Sequence, residues 1–282
     1  MIEHSFGPTG HEVPRIGQGS WNLPLRGAGA EEAKRALRRG IELGMTHIDT
    51  AEMYGDGGSE QLIGEAIRDL PRETLFIVSK VMPSNATYAG TIAACEASLE
   101  RLGCDYLDCF LLHWRGGVPL RETLRAMEQL VADGKIRALG VSNFDVDDLR
   151  EAHGLLEREP LACNQVLYHL GERTIEAHEF DYCRKHNVAV VGYTPFGRSD
   201  YEDQPGAPVL KRLAAKHGAT VRQVILAFLS RDPIAFVIPK AARVAHAQEN
   251  AAAGDLVLDD EDVAAIDTAF PARRRRGGLP SL

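Results

Sequence analysis

The chain has 282 residues, of which 44% are hydrophobic, and it carries a formal net charge of −8 with a pI near 5.7. A chain of this length and composition can bury one large core, so we expect a single domain over residues 1–282. The acidic charge argues against a general affinity for nucleic acid or for an anionic membrane surface.

The N-terminus, MIEHSFGPTG, lacks the apolar region of a signal peptide, and no window approaches the roughly 18 apolar residues of a membrane span. We therefore expect a cytosolic protein. The five cysteines are odd in number and lack CxxC spacing. This pattern predicts reduced thiols rather than a disulfide framework or a zinc site.

Predicted strands and helices alternate along the chain after an N-terminal hairpin over residues 2–16, which a Gly-Pro-Thr-Gly turn indicates. Apolar runs predict strands at 16–19, 46–49, 76–80, 107–112, 136–141, 162–167, 188–193 and 235–238. Predicted helices occupy 31–43, 60–69, 91–102, 120–132, 146–156, 174–186, 208–217 and 244–252, with two extra helices at 220–230 and 260–269. Eight alternations in fewer than 300 residues favour a closed (β/α)8 TIM barrel, with the hairpin at its bottom. No GxGxxG follows the first strand, which weakens the case for an open Rossmann sheet.

Four polar residues, Asp49, Tyr54, Lys80 and His113, lie where buried strands end and loops begin. Active sites of TIM barrels are built at this end of the strands. Tyrosine has a reference pKa of about 10 and needs a nearby cation to favour its phenolate. Lys80 can be that cation, Asp49 can keep Lys80 charged, and His113 can donate a hydrogen bond to an oxygen held against the tyrosine. The set predicts a site that protonates a carbonyl oxygen while another group attacks the carbon.

These residues and their surroundings resemble the aldo-keto reductases over nearly the whole chain. The motifs that carry the resemblance are Gly40 and Gly44 before His47-Ile48-Asp49-Thr50-Ala51 and Tyr54-Gly55, then Ser79-Lys80, Leu111-Leu112-His113-Trp114, Gly140-Val141-Ser142-Asn143-Phe144, Asn164-Gln165-Val166, Tyr193-Thr194-Pro195 and Ile238-Pro239-Lys240. The resemblance implies a monomer that reduces aldehydes and ketones with NADPH, bound extended across the barrel mouth. It makes Tyr54 the general acid, Lys80 the residue that lowers its pKa, Asp49 the partner of that lysine, and His113 the residue that orients the carbonyl.

By the same resemblance, the cofactor contacts are Ser142, Asn143, Gln165, Tyr193, Lys240, Glu249 and Asn250. The first three would meet the nicotinamide carboxamide, since their side chains offer the donors and acceptor that an amide demands. The tyrosine would stack on the nicotinamide ring and leave one face for hydride transfer. The lysine would meet the adenosine 2′-phosphate, and the last two residues would contact the adenine.

Two departures from the family pattern bear on cofactor choice. Ala241 and His246 stand where the family usually has a small hydroxyl residue and an arginine, which weakens phosphate selectivity. Arg243, one turn earlier than His246, is a candidate for the missing charge, and NADH is an alternative to the preferred NADPH. In the seventh loop Phe196 and Arg198 replace a usual leucine and serine, and Arg198 either lies over the pyrophosphate or is solvated.

Trp21 and Trp114 follow the first and fourth strands, so both indoles should line the barrel mouth and bind substrate, unless Trp21 packs under the hairpin instead. Apolar walls and a short tail after Phe270 suit small carbonyl compounds, as in the bacterial methylglyoxal reductases that the chain resembles. The arginine run at 273–276 is expected to be a solvated end, with a phosphate contact as the alternative.

Three other functions compete with carbonyl reduction. His47, Asp49 and His113 could bind a metal in a hydrolase, although Lys80 would repel the cation. Lys80 could form a Schiff base in an aldolase, which requires a neutral amine. The chain could also be a redox-sensing regulatory subunit that binds NADPH with little turnover.

Overall fold

The computed structural model of this chain describes residues 1–197, 201, 204–273 and 278–281. Arg198, and residues 274–276 of the arginine run, lie outside the described residues. Within the part that is described, no helix combines the length and the apolar character that crossing a bilayer requires.

In the described part of the chain, ten strands form a two-stranded hairpin and an eight-stranded parallel sheet. The hairpin strands are β1 (Glu3–Ser5) and β2 (Glu12–Pro14), and the sheet strands are β3 (Gln18–Gly19), β4 (His47–Asp49), β5 (Phe76–Val81), β6 (Cys109–Leu112), β7 (Leu139–Ser142), β8 (Leu161–Leu167), β9 (Ala189–Tyr193) and β10 (Ala235–Val237). The sheet strands lie side by side in chain order. Nearly all of their residues are buried, as expected for parallel strands covered on both faces.

The sheet closes on itself between its first and last strands. Gly17 N donates to Val237 O at 2.8 Å, and Gly19 N donates to Pro239 O at 3.1 Å. A side chain at Gly19 would meet the carbonyl oxygen of Ile238 at 2.6 Å, so this close approach requires glycine. The predicted (β/α)8 barrel is thereby confirmed.

The described residues form ten α-helices around the barrel. They are α1 (Gly27–Glu42), α2 (Gly58–Ile67), α3 (Tyr88–Leu102), α4 (Leu120–Ala132), α5 (Val146–Leu155), α6 (Glu179–Lys185), α7 (Ala207–His217), α8 (Val221–Leu229), α9 (Val244–Ala252) and α10 (Asp260–Ala269). The two predicted extra helices correspond to α8 and α10. Both begin with a capping box, Thr220 with Gln223 and Asp259 with Asp262, which satisfies backbone N–H groups of the first turn.

Two helices differ most from the sequence prediction. The predicted helix over 174–186 is broken into a 3-10 turn, Thr174–Ala177, and α6, because the backbone at His178 leaves helical geometry at φ −142° and ψ −47°. Helix α1 begins at Gly27, four residues earlier than the predicted start at 31.

The hairpin covers the amino-terminal end of the barrel strands. Phe6, between β1 and β2, packs on Phe76 and Phe236 with ring centroids 4.6 and 5.0 Å apart and stands edge-on to His47 at 5.7 Å. These partners lie at or near the starts of their strands. The opposite end, where the carboxyl ends of the strands lie, is therefore the end that remains open for a site.

Candidate active site

Lys80 is at the centre of a buried polar cluster in the barrel. Its Nζ donates to Asp49 Oδ1 at 2.6 Å and to the backbone oxygen of Thr50 at 2.7 Å, and it lies 3.5 Å from Tyr54 Oη. The lysine is fully buried and the Asp49 carboxylate nearly so. Strands β4 and β5 pair in the sheet, and residue 54 lies in the loop after β4. The pairing of these strands therefore brings Asp49, Tyr54 and Lys80 together.

Gln165 holds the other oxygen of the aspartate. Its Nε2 donates to Asp49 Oδ2 at 2.6 Å, across the barrel interior from β8 to β4. Both carboxylate oxygens are thus engaged by donors, which fixes the orientation of the carboxylate toward Lys80. The predicted cluster therefore has a fifth member, and this second role of Gln165 was not foreseen from the sequence.

The charges in the cluster follow from burial and from these contacts. Burial lowers the pKa of Lys80, but the attraction of Asp49 and Tyr54 raises it by more, so the ammonium stays protonated. Burial raises the pKa of Asp49 above its usual value, and the Lys80 ammonium and the Gln165 amide offset part of this rise. The pair is ionised, because a neutral carboxyl group would leave the buried ammonium without a counter-charge.

Tyr54 keeps its proton at neutral pH. Burial raises its pKa above the usual value of 10.0, and the nearby Lys80 ammonium lowers it by less. The lysine also lies 5.1 Å from the centroid of the tyrosine ring. Lys80 therefore favours the phenolate, as the sequence suggested, but the depth of burial gives a net shift in the opposite direction. A protonated phenol beside a fixed cation can donate a proton to an oxygen that gains negative charge.

His113 faces the tyrosine as a neutral imidazole. Burial and the repulsion of Lys80 lower its pKa to about 3. Its ring stands edge-on to that of Tyr54, with ring centroids 5.7 Å apart. It also packs against the indole of Trp114, with ring centroids 4.9 Å apart. The buried Nδ1 has no hydrogen-bond partner among the described residues. A neutral imidazole and a phenol at this separation can both reach one carbonyl oxygen.

Asn143 and its neighbours form a second polar group at the ends of β7, β8 and β9. The asparagine adopts a left-handed backbone with φ 61°, and its Nδ2 donates to the backbone oxygen of His113 at 3.2 Å. Tyr193 Oη donates to Asn143 Oδ1 at 2.9 Å, and Asn143 N donates to Gln165 O at 2.8 Å. Ser142 pairs with Gln165 in the sheet register. The four residues assigned to the nicotinamide end of a cofactor are therefore brought together.

A cavity of about 1080 Å³ opens over both groups. Tyr54, His113, Ser142, Asn143, Gln165 and Tyr193 contribute to its lining, with Trp21, Trp114, Phe196, Lys240, His246 and the tail residues Gly278, Leu279 and Ser281. The two indoles are 44% and 37% exposed, so neither is packed away from the cavity. For Trp21 this rules out the alternative position beneath the hairpin.

The remaining predicted cofactor residues lie on or just before α9. Arg243 precedes the helix and its Nη2 lies 2.9 Å from His246 Nε2. Asn250 is buried, and the backbone oxygen of Glu249 accepts from Gln223 Nε2 at 3.1 Å. Arg243, Glu249 and Asn250 are not among the described residues that line the cavity. Their contacts with a cofactor stay a prediction.

Comparison with known proteins assigns the chain to a family. The family model described as "Aldo/keto reductase family" matches residues 15–270. The chain belongs to the aldo/keto reductase family.

Curated relatives in the family are similar over almost their full length. The chain is 44% identical over 269 residues to methylglyoxal reductase YeaE of Escherichia coli (strain K12), covering 95% of this chain and 94% of the relative. It is 37% identical over 261 residues to glyoxal reductase of Bacillus subtilis (strain 168), covering 92% and 90%. A crystal structure of an aldo/keto reductase from Klebsiella pneumoniae in complex with NADP and acetate superposes with a TM-score of 0.93 at 43% identity, over 100% of both chains.

The geometry does not favour the metal alternative. His47 lies at the amino-terminal end of β4, against Phe6, whereas Asp49 lies at the carboxyl end beside Lys80. In the described part of the chain, no three His, Cys, Asp or Glu side chains are grouped to hold a metal ion.

Arg222 is a charged cavity residue that was not anticipated from the sequence. Arg222, in the first turn of α8, lines the cavity and lies over the ring of Phe196, with 4.3 Å between its Cζ and the ring centroid. The capping box at Thr220 and Gln223 marks the start of this helix in the sequence, but nothing local shows that its first turn faces the barrel mouth.

Proposed function

We propose that this aldo/keto reductase uses NADPH to reduce small aldehydes and α-dicarbonyl compounds such as methylglyoxal to alcohols, with Tyr54 as the general acid. The observation that supports it most directly is the position of Lys80 Nζ, in contact with Asp49 and within 3.5 Å of Tyr54 Oη beneath an open cavity. This arrangement keeps a cation beside the phenol that must release a proton.

The residues of the cavity fit a nicotinamide cofactor. Ser142, Asn143 and Gln165 offer hydroxyl and amide groups suited to a carboxamide, and the ring of Tyr193 lies at the end of β9 beside them. Lys240 supplies a cation farther along the cavity wall, suited to a phosphate. The similar structure from Klebsiella pneumoniae contains NADP, which agrees with this assignment. When bound, the cofactor supplies the hydride.

The protein supplies the proton and the orientation. The phenol of Tyr54 and the imidazole of His113 would bind the carbonyl oxygen, which places the carbonyl carbon toward the nicotinamide side of the cavity. As negative charge develops on that oxygen, Tyr54 donates its proton and the Lys80 ammonium stabilises the resulting phenolate. Asp49, held by Gln165, keeps Lys80 charged throughout.

The substrate class rests on the cavity walls and on the relatives. Trp21 and Trp114 give the mouth two apolar surfaces beside the polar floor, which suits a small molecule with one or two carbonyl groups. Methylglyoxal and glyoxal are the substrates that the names of the two curated relatives state.

The geometry argues against a Schiff-base aldolase. Such an enzyme needs a neutral lysine, whereas Asp49 holds Lys80 protonated at a distance of 2.6 Å. Treatment with borohydride in the presence of methylglyoxal should leave no covalent adduct on Lys80.

The test is a steady-state assay of NADPH oxidation with methylglyoxal, glyoxal and larger aldehydes. The wild type should turn over the small dicarbonyls, and Tyr54→Phe should lose about 100-fold or more in kcat because the general acid is absent. Tyr88→Phe is the matched control, since Tyr88 is an exposed tyrosine at the start of α3. Equal and slow oxidation of NADPH by wild type and Tyr54→Phe would instead favour the regulatory-subunit alternative.

A further inference from the structure

Basic residues surround one part of the cavity wall. Lys240 and His246 line the cavity with Arg222, and Arg243 contacts His246. They come from three separate segments, namely the loop after β10, helix α9 and the first turn of α8. Lys240 and Arg222 are cations that line the cavity from different elements, and such a convergence is suited to an anionic ligand group.

Arg222 packs on an aromatic side chain of the neighbouring loop. Its guanidinium lies over the ring of Phe196, 4.3 Å from the ring centroid. The next residue, Gln223, donates to the backbone oxygen of Glu249 at 3.1 Å and so ties the start of α8 to α9. Among the described residues, no carboxylate forms an ion pair with Arg222 or Lys240, and both cations line the cavity.

His246 is a poor substitute for the arginine usual at its position. Burial lowers its pKa, and repulsion from three neighbouring cations, Arg243, Arg222 and Lys240, lowers it further, although Glu249 opposes this. The contact with Arg243 also occupies Nε2 of the imidazole as an acceptor. At neutral pH the imidazole is uncharged, so it contributes no charge toward a phosphate.

We propose that Arg222 is a specificity-determining residue that replaces the arginine usual at position 246 and, with Lys240, selects the adenosine 2′-phosphate of NADPH. This assignment rests on the proposed function. Arg222 reaches the phosphate from α8 rather than from α9, and Phe196 orients its planar guanidinium for a bidentate contact. Arg243 is thereby assigned to holding His246 rather than to the phosphate.

The test measures binding, because NADPH and NADH differ only in the 2′-phosphate. Quenching of tryptophan fluorescence can report it, since Trp21 and Trp114 line the cavity. Arg222→Gln should raise the Kd for NADPH about tenfold, the equivalent of about 1.4 kcal/mol, and leave the Kd for NADH unchanged. The Kd for NADPH should also depend less steeply on salt concentration. Arg125→Gln is the matched control, because Arg125 is likewise exposed and lies over an aromatic ring, that of Tyr88 at 5.7 Å.

A rescue variant checks the assigned position. Adding His246→Arg to Arg222→Gln should restore most of the preference for NADPH, because it returns a charge to the family position. If Arg222→Gln leaves the ratio of the two Kd values unchanged, or weakens both cofactors equally, the assignment of Arg222 is wrong while the proposed NADPH activity stands. If the wild type itself binds NADH as tightly as NADPH, the proposed cofactor preference is wrong and the assignment falls with it.

Discussion

Asp49→Asn isolates what the buried ion pair contributes. At an Nζ to Oδ1 distance of 2.6 Å and an effective dielectric constant of about 20, the attraction between the two charges is about 6 kcal/mol. Most of this offsets the desolvation of both groups, so the net value of the pair is far smaller. Removing one partner is different, because the Lys80 ammonium then stays buried without a counter-charge, beside neutral groups such as the Thr50 carbonyl and Tyr54. We expect Asp49→Asn to lower the free energy of unfolding by about 3–5 kcal/mol.

Urea denaturation at pH 7 gives this free energy, and the double variant Asp49→Asn/Lys80→Met provides the control. Removing both charges should recover most of the lost stability, because no unpaired buried charge remains. Neither variant should turn over methylglyoxal at the wild-type rate. The double variant lacks the Lys80 cation beside Tyr54, and in the single variant this cation has lost its counter-charge. If Asp49→Asn is as stable as wild type, or if the double variant is no more stable than the single one, the ion pair does not have the electrostatic role described above.

Three further variants test features outside the ion pair. Burial lowers the pKa of both His47 and His113 from 6.5 to about 3, so the unfolded chain binds more protons in that window and stability falls as pH drops from 6.5, by about 1.4 kcal/mol per pH unit for each group. His47→Leu should remove one of these contributions, and an unchanged pH dependence of the urea midpoint would contradict this. Arg173 donates to Glu176, to Asp267 and to the backbone oxygen of Phe270, each at 2.6 Å, so Arg173→Met should cost about 3–5 kcal/mol. It should also raise hydrogen exchange in α10, and unaltered protection there would count against this anchoring role. Thr194 has a left-handed backbone with φ 54°, which is strained for a β-branched residue, so Thr194→Asn should raise stability by about 1 kcal/mol. A lower melting temperature would show that the threonine side chain contributes more than the strain costs.

Most of the fold is readable from local patterns. The apolar runs that became β5 and β6 are bounded by charged or turn-forming residues, and the helices between them have regular apolar spacing. The break at His178 was missed because residues on either side of it favour a helix on their own. Arg173 makes tertiary contacts just before this break, with Asp267 of α10 and with the backbone oxygen of Phe270, that local propensity does not register.

Part of the site could likewise be predicted from the sequence, and part could not. Asp49, Tyr54 and Lys80 could be grouped from sequence. Asp49 ends β4, Tyr54 lies in the loop after it, and Lys80 lies near the end of the neighbouring strand β5, and parallel strands end on one side of a barrel. The bond from Gln165 to Asp49 could not be foreseen, since it crosses the barrel interior between strands that are not adjacent. The direction of the Tyr54 pKa shift also requires the depth of burial, which is a property of the folded chain alone.

The closure of the barrel near Gly19 and Lys240 has a kinetic consequence. The two segments that meet there come from opposite ends of the chain, so this contact carries the largest loop-closure entropy in the sheet and should form late in folding. Trp21 follows one side of the junction and Lys240 belongs to the other, and both line the cavity. A ligand held between them would join the two chain ends, and would slow unfolding at the step where the first and last strands separate.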